Sequence, residues 1–258
     1  MNELNNLFRQ RIGFPEHITI TFDQLTKVLE RTALSLPFEN LRVIAGEREN
    51  VTRDYLLNKI VVNKEGGLCY ELNAILYLFL LENGFDVRLT RGIVFNHGAG
   101  TYFTLGKTHV VILLNHEGIT YLVDTGFGGN LALSPLPLTG EIIISSNGGF
   151  SVKPASDGPG DYTFELKLHH KDTEWRIGYT FDSKATFTDL DECNDAQSIV
   201  IEHPESTFNK HPLVTKLTER GNVTLTDRTF TQWVEGKVTK EEIDAVRFKE
   251  LLRLHFGM

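Results

Sequence analysis

Three residues carry side chains that could act together as nucleophile, base and orienting acid: Cys69, His109 and Asp124. Cys69 stands in GGLCYELNAILYLFLL and is one of only two cysteines. The glycines before it let the backbone approach a neighbour closely and take unusual angles. The apolar run after it reads as a helix, so Cys69 falls at or near a helix N-terminus. There the unpaired N–H groups and the helix dipole favour a thiolate, the reactive form of cysteine. The same N–H groups could donate to an oxyanion that develops on a substrate carbonyl. A free cysteine is also a common small core residue, and this stretch alone leans slightly toward that use.

A nucleophile needs a base, and the base needs an orienting group. In KTHVVILLNHEGITYLVDTGFGG, His109 opens one predicted strand and Asp124 ends the next, with the turn Asn115-His116-Glu117-Gly118 between them. A tight hairpin with this spacing brings the two together at the end away from its turn. A carboxylate beside a histidine fixes its tautomer and stabilises the imidazolium. Singly, His109 reads as a hydrogen-bonded strand residue and Asp124 as a strand-end cap. Together they lift Cys69 above the core-residue reading. Other features carry less. The glycines of DTGFGGN are followed by Pro135 and Pro137 rather than a helix, which excludes a dinucleotide fingerprint. No histidine spacing fits a zinc site, so no metal is expected, and His169-His170 read as surface strand residues. Acidic neighbours are expected to keep the Cys193 thiol inert. Lys210, Lys216 and Arg220 read as solvated charges.

The elements that must position these residues follow from periodicity and turn signals. Helices are predicted over 21–35, over 52–61 with Thr52 as N-cap, and after Cys69. The last carries Leu72, Ile75, Leu76, Phe79 and Leu80 at helical spacing, is apolar on most sides, and stops at Asn83-Gly84. Strands are predicted over 86–95, 107–115, 119–124, 141–145, 162–169 and 174–181. A loop is expected at Ser156-Asp157-Gly158-Pro159-Gly160. A helix over 189–201 precedes short strands at 212–217, 223–226 and 230–234. A final helix is expected from about Thr239, with Thr239 and Glu242 as a capping box and Ile243, Val246, Leu251 and Leu254 as its apolar face. Helices first, strands next and a mixed segment last indicate an α+β fold whose middle is an antiparallel sheet or small barrel. The composition, 41% hydrophobic and 23% charged over 258 residues, supplies a sizeable core. A net charge of −8 argues against nucleic acid as a partner. No apolar stretch is long enough to span a bilayer, so no membrane partner is expected. Residues 1–20 lack a leader pattern and two cysteines make no disulfide framework, so a cytoplasmic setting is predicted.

In this order and spacing, LPFENL (36–41), GGLCYELN, KTHVVILL and YLVDTGFGG resemble the arylamine N-acetyltransferases. The resemblance is strongest over 30–130 and extends more loosely into IEHPESTFNKHPLVTKLTERGNVTL. It implies a helical bundle over 1–85 carrying the nucleophile, a β-barrel over 86–188 carrying His and Asp, and an α/β lid over 189–258. The first two would share the architecture of papain-like and transglutaminase-like enzymes. The implied triad is Cys69, His109 and Asp124. The implied co-substrate is acetyl-CoA, with no permanently bound cofactor, and the acceptor an arylamine, arylhydrazine or aryl-hydroxylamine. The implied reaction is ping-pong transfer through an acetyl-cysteine. Phe38 and Phe127 match positions that line the acceptor pocket, and Gly126, Gly128 and Ser206-Thr207-Phe208 match positions near CoA. One departure stands out. Glu65 replaces an arginine that usually pairs with the glutamate of LPFENL, here Glu39. Two glutamates would repel, unless Lys64 reaches round or the segments are tied differently. Two other readings keep the same triad: a transglutaminase-like or papain-like acyltransferase or hydrolase, and a catalytically silent CoA-binding relative.

Overall fold

The computed structural model describes residues 3–156 and 158–258; Asp157 of the predicted 156–160 loop lies outside them. The N-terminal part is helical, with one short strand. It comprises α1 (Glu3–Ile12), α2 (Leu25–Ser35), β1 (Phe38–Glu39), α3 (Leu41–Ile44), α4 (Arg53–Leu56) with a π-helical continuation over Leu57–Val62, and α5 (Cys69–Glu82). Thr52 caps α4 as predicted, its side chain accepting the Tyr55 N–H. Helix α5 is buried on nearly every side, polar Asn73 and Glu71 included. It stops at Asn83, and Gly84 takes a φ of +84°.

Next come β2 (Asp86–Asn96), β3 (Thr101–Tyr102), β4 (His109–His116), β5 (Ile119–Val123), β6 (Leu136–Pro137), β7 (Ile143–Ser145), β8 (Gly148–Pro154), β9 (Tyr162–Leu168) and β10 (Arg176–Phe187). They pair in the order β6-β5-β4-β2-β10-β9-β8-β7, with β3 on β2, and β6 returns beside β8 to nearly close a barrel. The α+β expectation with a barrel core holds. Strand β4 explains its own apolar run. Val111 and Leu113 face the barrel interior, while Val110, Ile112 and Leu114 pack into the helical core around α5. Strand β8 was not foreseen, because Gly148-Gly149 reads as a loop. In the barrel, a Cβ on Gly148 would lie 2.4 Å from the Lys167 carbonyl oxygen, so only a bare backbone can enter the sheet there.

Helix α6 (Asp191–Glu202) packs on α5, its Cys193, Ala196 and Val200 joining the helical core. Strands β11 (Leu213–Thr218), β12 (Gly221–Thr226), β13 (Thr229–Val234) and β14 (Lys237–Glu242) form an antiparallel meander, and β1 adds to its β11 edge. The final helix, α7 (Ala245–Leu251) with a π-helical end over Leu252–Phe256, starts later than expected. Thr239 and Glu242 belong to β14, paired with Gln232 and Thr229. The turn Glu235-Gly236, both at positive φ, closes that hairpin and claims the segment. Asp244 is the true N-cap, accepting the Arg247 N–H. With the start displaced, Val246 and Leu254 are exposed, while Leu251 and Phe256 fill the core. Two other expectations need correction, and the one for Cys193 keeps its direction with a different leading cause. His169 and His170 are exposed but sit in the turn after β9. Burial comes first in pushing the Cys193 thiol up to about 12, and its acidic neighbours add least. Lys216 is not freely solvated: its Nζ donates to the His255 carbonyl at 2.8 Å. Among the described residues no helix is long and apolar enough to cross a membrane.

The two glutamates expected to repel are held apart by separate cations. Glu65 forms a two-pronged pair with Arg42, at 2.7 and 2.8 Å. Glu39 is instead paired at 3.2 Å with Lys59, which also reaches Glu71 at 2.7 Å. These three groups are almost completely buried. Burial opposes the Lys59 charge, but the two carboxylates more than restore it, so its pKa is raised. Burial outweighs Lys59 at Glu39, whose pKa is also raised. The network ties β1 to α5. Glu39 accepts the Leu41 N–H, and Glu71 accepts the Tyr55 hydroxyl and the Leu68 N–H at the entry to α5. Among the described residues Lys64 enters no ion pair; its carbonyl accepts from Arg11. Removing a partner from a buried ionic network strands its charges. Lys59→Met should therefore lower the unfolding free energy by about 3–5 kcal/mol in urea denaturation, and Lys59→Arg by clearly less.

Candidate active site

Cys69 is the first residue of α5, and Leu68 before it is the extended N-cap. The glycines ahead of it serve close approach, not unusual angles. A Cβ on Gly66 would lie 2.0 Å from the Pro37 carbonyl oxygen, and neither Gly66 nor Gly67 has positive φ. The thiol donates to the Thr108 carbonyl at 3.4 Å, one residue before His109. From the other side Gly126 packs so tightly that a Cβ there would lie 2.6 Å from the Cys69 Cα.

His109 and Asp124 meet as the hairpin predicts. Ile112 faces Val123 in the β4–β5 register, so Asp124, just past β5, lies opposite Val111 and diagonal to His109 on the same face. His109 Nε2 is 2.8 Å from Asp124 Oδ2. The Tyr179 hydroxyl donates to the same oxygen at 3.0 Å, and its ring lies 4.5 Å from the imidazole. Asp124 Oδ1 accepts from Asn73 Nδ2 at 2.8 Å and from the Gly126 N–H at 2.7 Å. Asn73, one helical turn beyond Cys69, also donates to the Val110 carbonyl and accepts from Thr125. Burial pushes the Asp124 pKa up, but the His109 charge, together with hydrogen bonds from His109, Asn73 and Gly126, overcomes it and holds it low. Burial likewise disfavours the imidazolium. The Asp124 charge and hydrogen bond, with the neighbouring Cys69 sulfur, outweigh it and raise His109 to about 10.

An apolar cavity of about 130 Å³ opens over the sulfur, lined by Phe38, Phe127, Val94 and Phe208 among others. Gly126 and Thr207 line it too. A second cavity of about 310 Å³ shares Phe38, Phe127 and Phe208 and adds Gly128, Thr215, Asn222 and Lys171. Ser206 lines neither; it is buried, and its hydroxyl accepts the Phe208 N–H. Asn73 and Tyr179 are the site residues that sequence reasoning missed. A signal for Asn73 existed, a polar residue inside an apolar run four positions after Cys69. Tyr179 gave none, since its position depends on barrel closure.

The His109 pairing has a pH signature. Its folded pKa lies above the ordinary 6.5, so its stabilising contribution is complete below that value and is lost as pH rises through about 10. The stability gap between wild type and His109→Gln should be widest between the ordinary values 3.8 for Asp124 and 6.5 for His109. It should shrink by on the order of a few kcal/mol as pH passes about 10 in urea titrations. A constant gap would contradict the pairing.

A sequence profile of the family described as N-acetyltransferase matches residues 21–258. An uncharacterized acetyltransferase of Bacillus subtilis is 38% identical over 96% of this chain and 95% of its own. The crystal structure of a Bacillus cereus arylamine N-acetyltransferase, described with a unique Cys-His-Glu catalytic triad, is 35% identical. It superposes at a TM-score of 0.94, with 100% of this chain and 99% of that one covered. A Mycobacterium marinum arylamine N-acetyltransferase in complex with CoA is 25% identical, at a TM-score of 0.84 over 98% of this chain and 92% of that one. The chain belongs to the arylamine N-acetyltransferase family.

Proposed function

We propose that this protein moves an acetyl group from acetyl-CoA to the nitrogen of an arylamine, arylhydrazine or aryl-hydroxylamine, with Cys69 as the nucleophile. The observation that carries the reading is the convergence of Cys69, His109 and Asp124 beneath an aromatic-lined cavity. In the resting enzyme His109 already carries the thiol proton, as an imidazolium that the buried Asp124 stabilises. The sulfur attacks the thioester carbonyl, and the Cys69 N–H at the start of α5 faces the developing oxyanion. The C–S bond to CoA breaks, the imidazolium proton goes to the departing thiolate, and the acetyl group stays on Cys69. An aromatic amine then enters against Phe38 and Phe127 and attacks the acetyl carbon. His109 accepts its proton, and the Cys69 sulfur leaves.

The second cavity offers a route for the CoA arm. It joins the first at Phe38, Phe127 and Phe208, is floored by Gly128 at a φ of +61°, and carries Lys171 as a cation for phosphate. The ground for a silent relative was the pairing of Glu65 with Glu39, and that is removed because each glutamate has its own cation.

Intact-protein mass spectrometry after exposure to acetyl-CoA should show one acetyl group, mapped to Cys69 and discharged by an added aromatic amine. Cys69→Ser should form no adduct that an amine discharges. Retained amine acetylation in that variant would refute the nucleophile.

A further inference from the structure

The cavity over Cys69 is small, apolar and asymmetric in charge. About 130 Å³ walled by Phe38, Val94, Leu105, Phe127 and Phe208 suits one aromatic ring; a dry cavity of roughly 150 Å³ is known to take up benzene. Apart from Cys69 and His109, its single ionisable lining residue is Glu205. Glu205 sits in the turn after α6, exposed at the rim. Among the described residues it makes no ion pair; its carboxylate instead accepts the Thr104 hydroxyl. That bond joins two loops across the cavity, the one carrying Phe103 and Leu105 and the one carrying Thr207 and Phe208. That bond therefore holds the carboxylate at the cavity edge, and among the described residues no ion pair neutralises it. A ring entering with its amine toward Cys69 brings its substituents near that edge. An anionic substituent meets a like charge there, whereas a neutral or cationic one does not.

We infer that Glu205 selects the acceptor by charge, so that the site takes single-ring aromatic amines and hydrazines without an acidic group and discriminates against those bearing a carboxylate. The inference rests on the acetyl-transfer reading above and names the acceptor class within it.

The test compares kcat/KM for 4-aminobenzamide and 4-aminobenzoate, which differ in charge and little in shape. Wild type should prefer the amide, and the preference should fall as salt is raised, because an exposed charge is screened. Glu205→Gln should shrink the amide-to-acid ratio on the order of fivefold, the scale of a solvent-screened charge pair. Glu205→Lys should shrink it further. Thr104→Val frees the carboxylate from its tether but keeps the charge, so its ratio should lie between those of wild type and Glu205→Gln. A purely structural Glu205 would change both substrates together and leave the ratio alone. An unchanged ratio in Glu205→Gln, or a ratio that moves equally in Thr104→Val, overturns the inference while acetyl transfer stands. Failure of the wild type to acetylate either amine, with no acetyl group on Cys69, would instead sink the transferase reading.

Discussion

A carboxylate in the interior is tolerable only when its oxygens are met by donors or cations, and Asp124 sets that requirement for the whole molecule. Its partners come from four places: Asn73 on α5, His109 at the start of β4, Tyr179 on β10, and the Gly126 N–H of its own turn. Each element must be in place for the charge to be satisfied. Helical core, barrel and the loop after β5 are therefore tied together at one carboxylate, and the geometry that satisfies Asp124 also brings His109 toward Cys69. Catalytic geometry and the burial of one charge share a single solution.

The sulfur is positioned by a different device, the absence of side chains. A Cβ on Gly66 would strike the Pro37 carbonyl, one on Gly67 the Glu71 side chain, and one on Gly126 the Cys69 backbone. The start of α5 is thus pressed between β1 on one side and the 124–128 turn on the other. Lys59 holds the first contact electrostatically, bridging Glu39 of β1 and Glu71 in the first turn of α5. A polar network under the helix start is costly if half satisfied. Here Glu71 has Lys59, Tyr55 and the Leu68 N–H, so the carboxylate at the start of α5 is fully met.

The convergence of Cys69, His109 and Asp124 was legible because each member sits where local rules speak: a cysteine opening an apolar helix, and a histidine and an aspartate set by one hairpin register. The alternation of β4 between two cores was legible only as an apolar run. What could not be read are contacts created by closure. Tyr179 reaches Asp124 across 55 positions of sequence, and Lys59 answers Glu39 where local reasoning saw only Glu65 and Lys64. The misplaced last helix has a local cause. Thr239 and Glu242 have capping-box spacing, yet the Glu235-Gly236 turn pairs them into β14 first. A turn with both central residues at positive φ nucleates a hairpin whose ladder outweighs a single cap.

The two cavities bear on the order of events. Phe38, Phe127 and Phe208 line both, and they meet in front of one sulfur. A donor thioester must occupy that junction to present its carbonyl to Cys69, and an aromatic amine must occupy it to reach an acetyl group there. Two ligands cannot share a junction whose inner chamber measures about 130 Å³. Direct transfer between bound donor and bound acceptor would need both at once. In the proposed reaction, parking the acetyl group on Cys69 removes the conflict, because the CoA arm can withdraw before the ring enters. On the proposed function, the shared junction therefore favours a covalent intermediate over direct transfer.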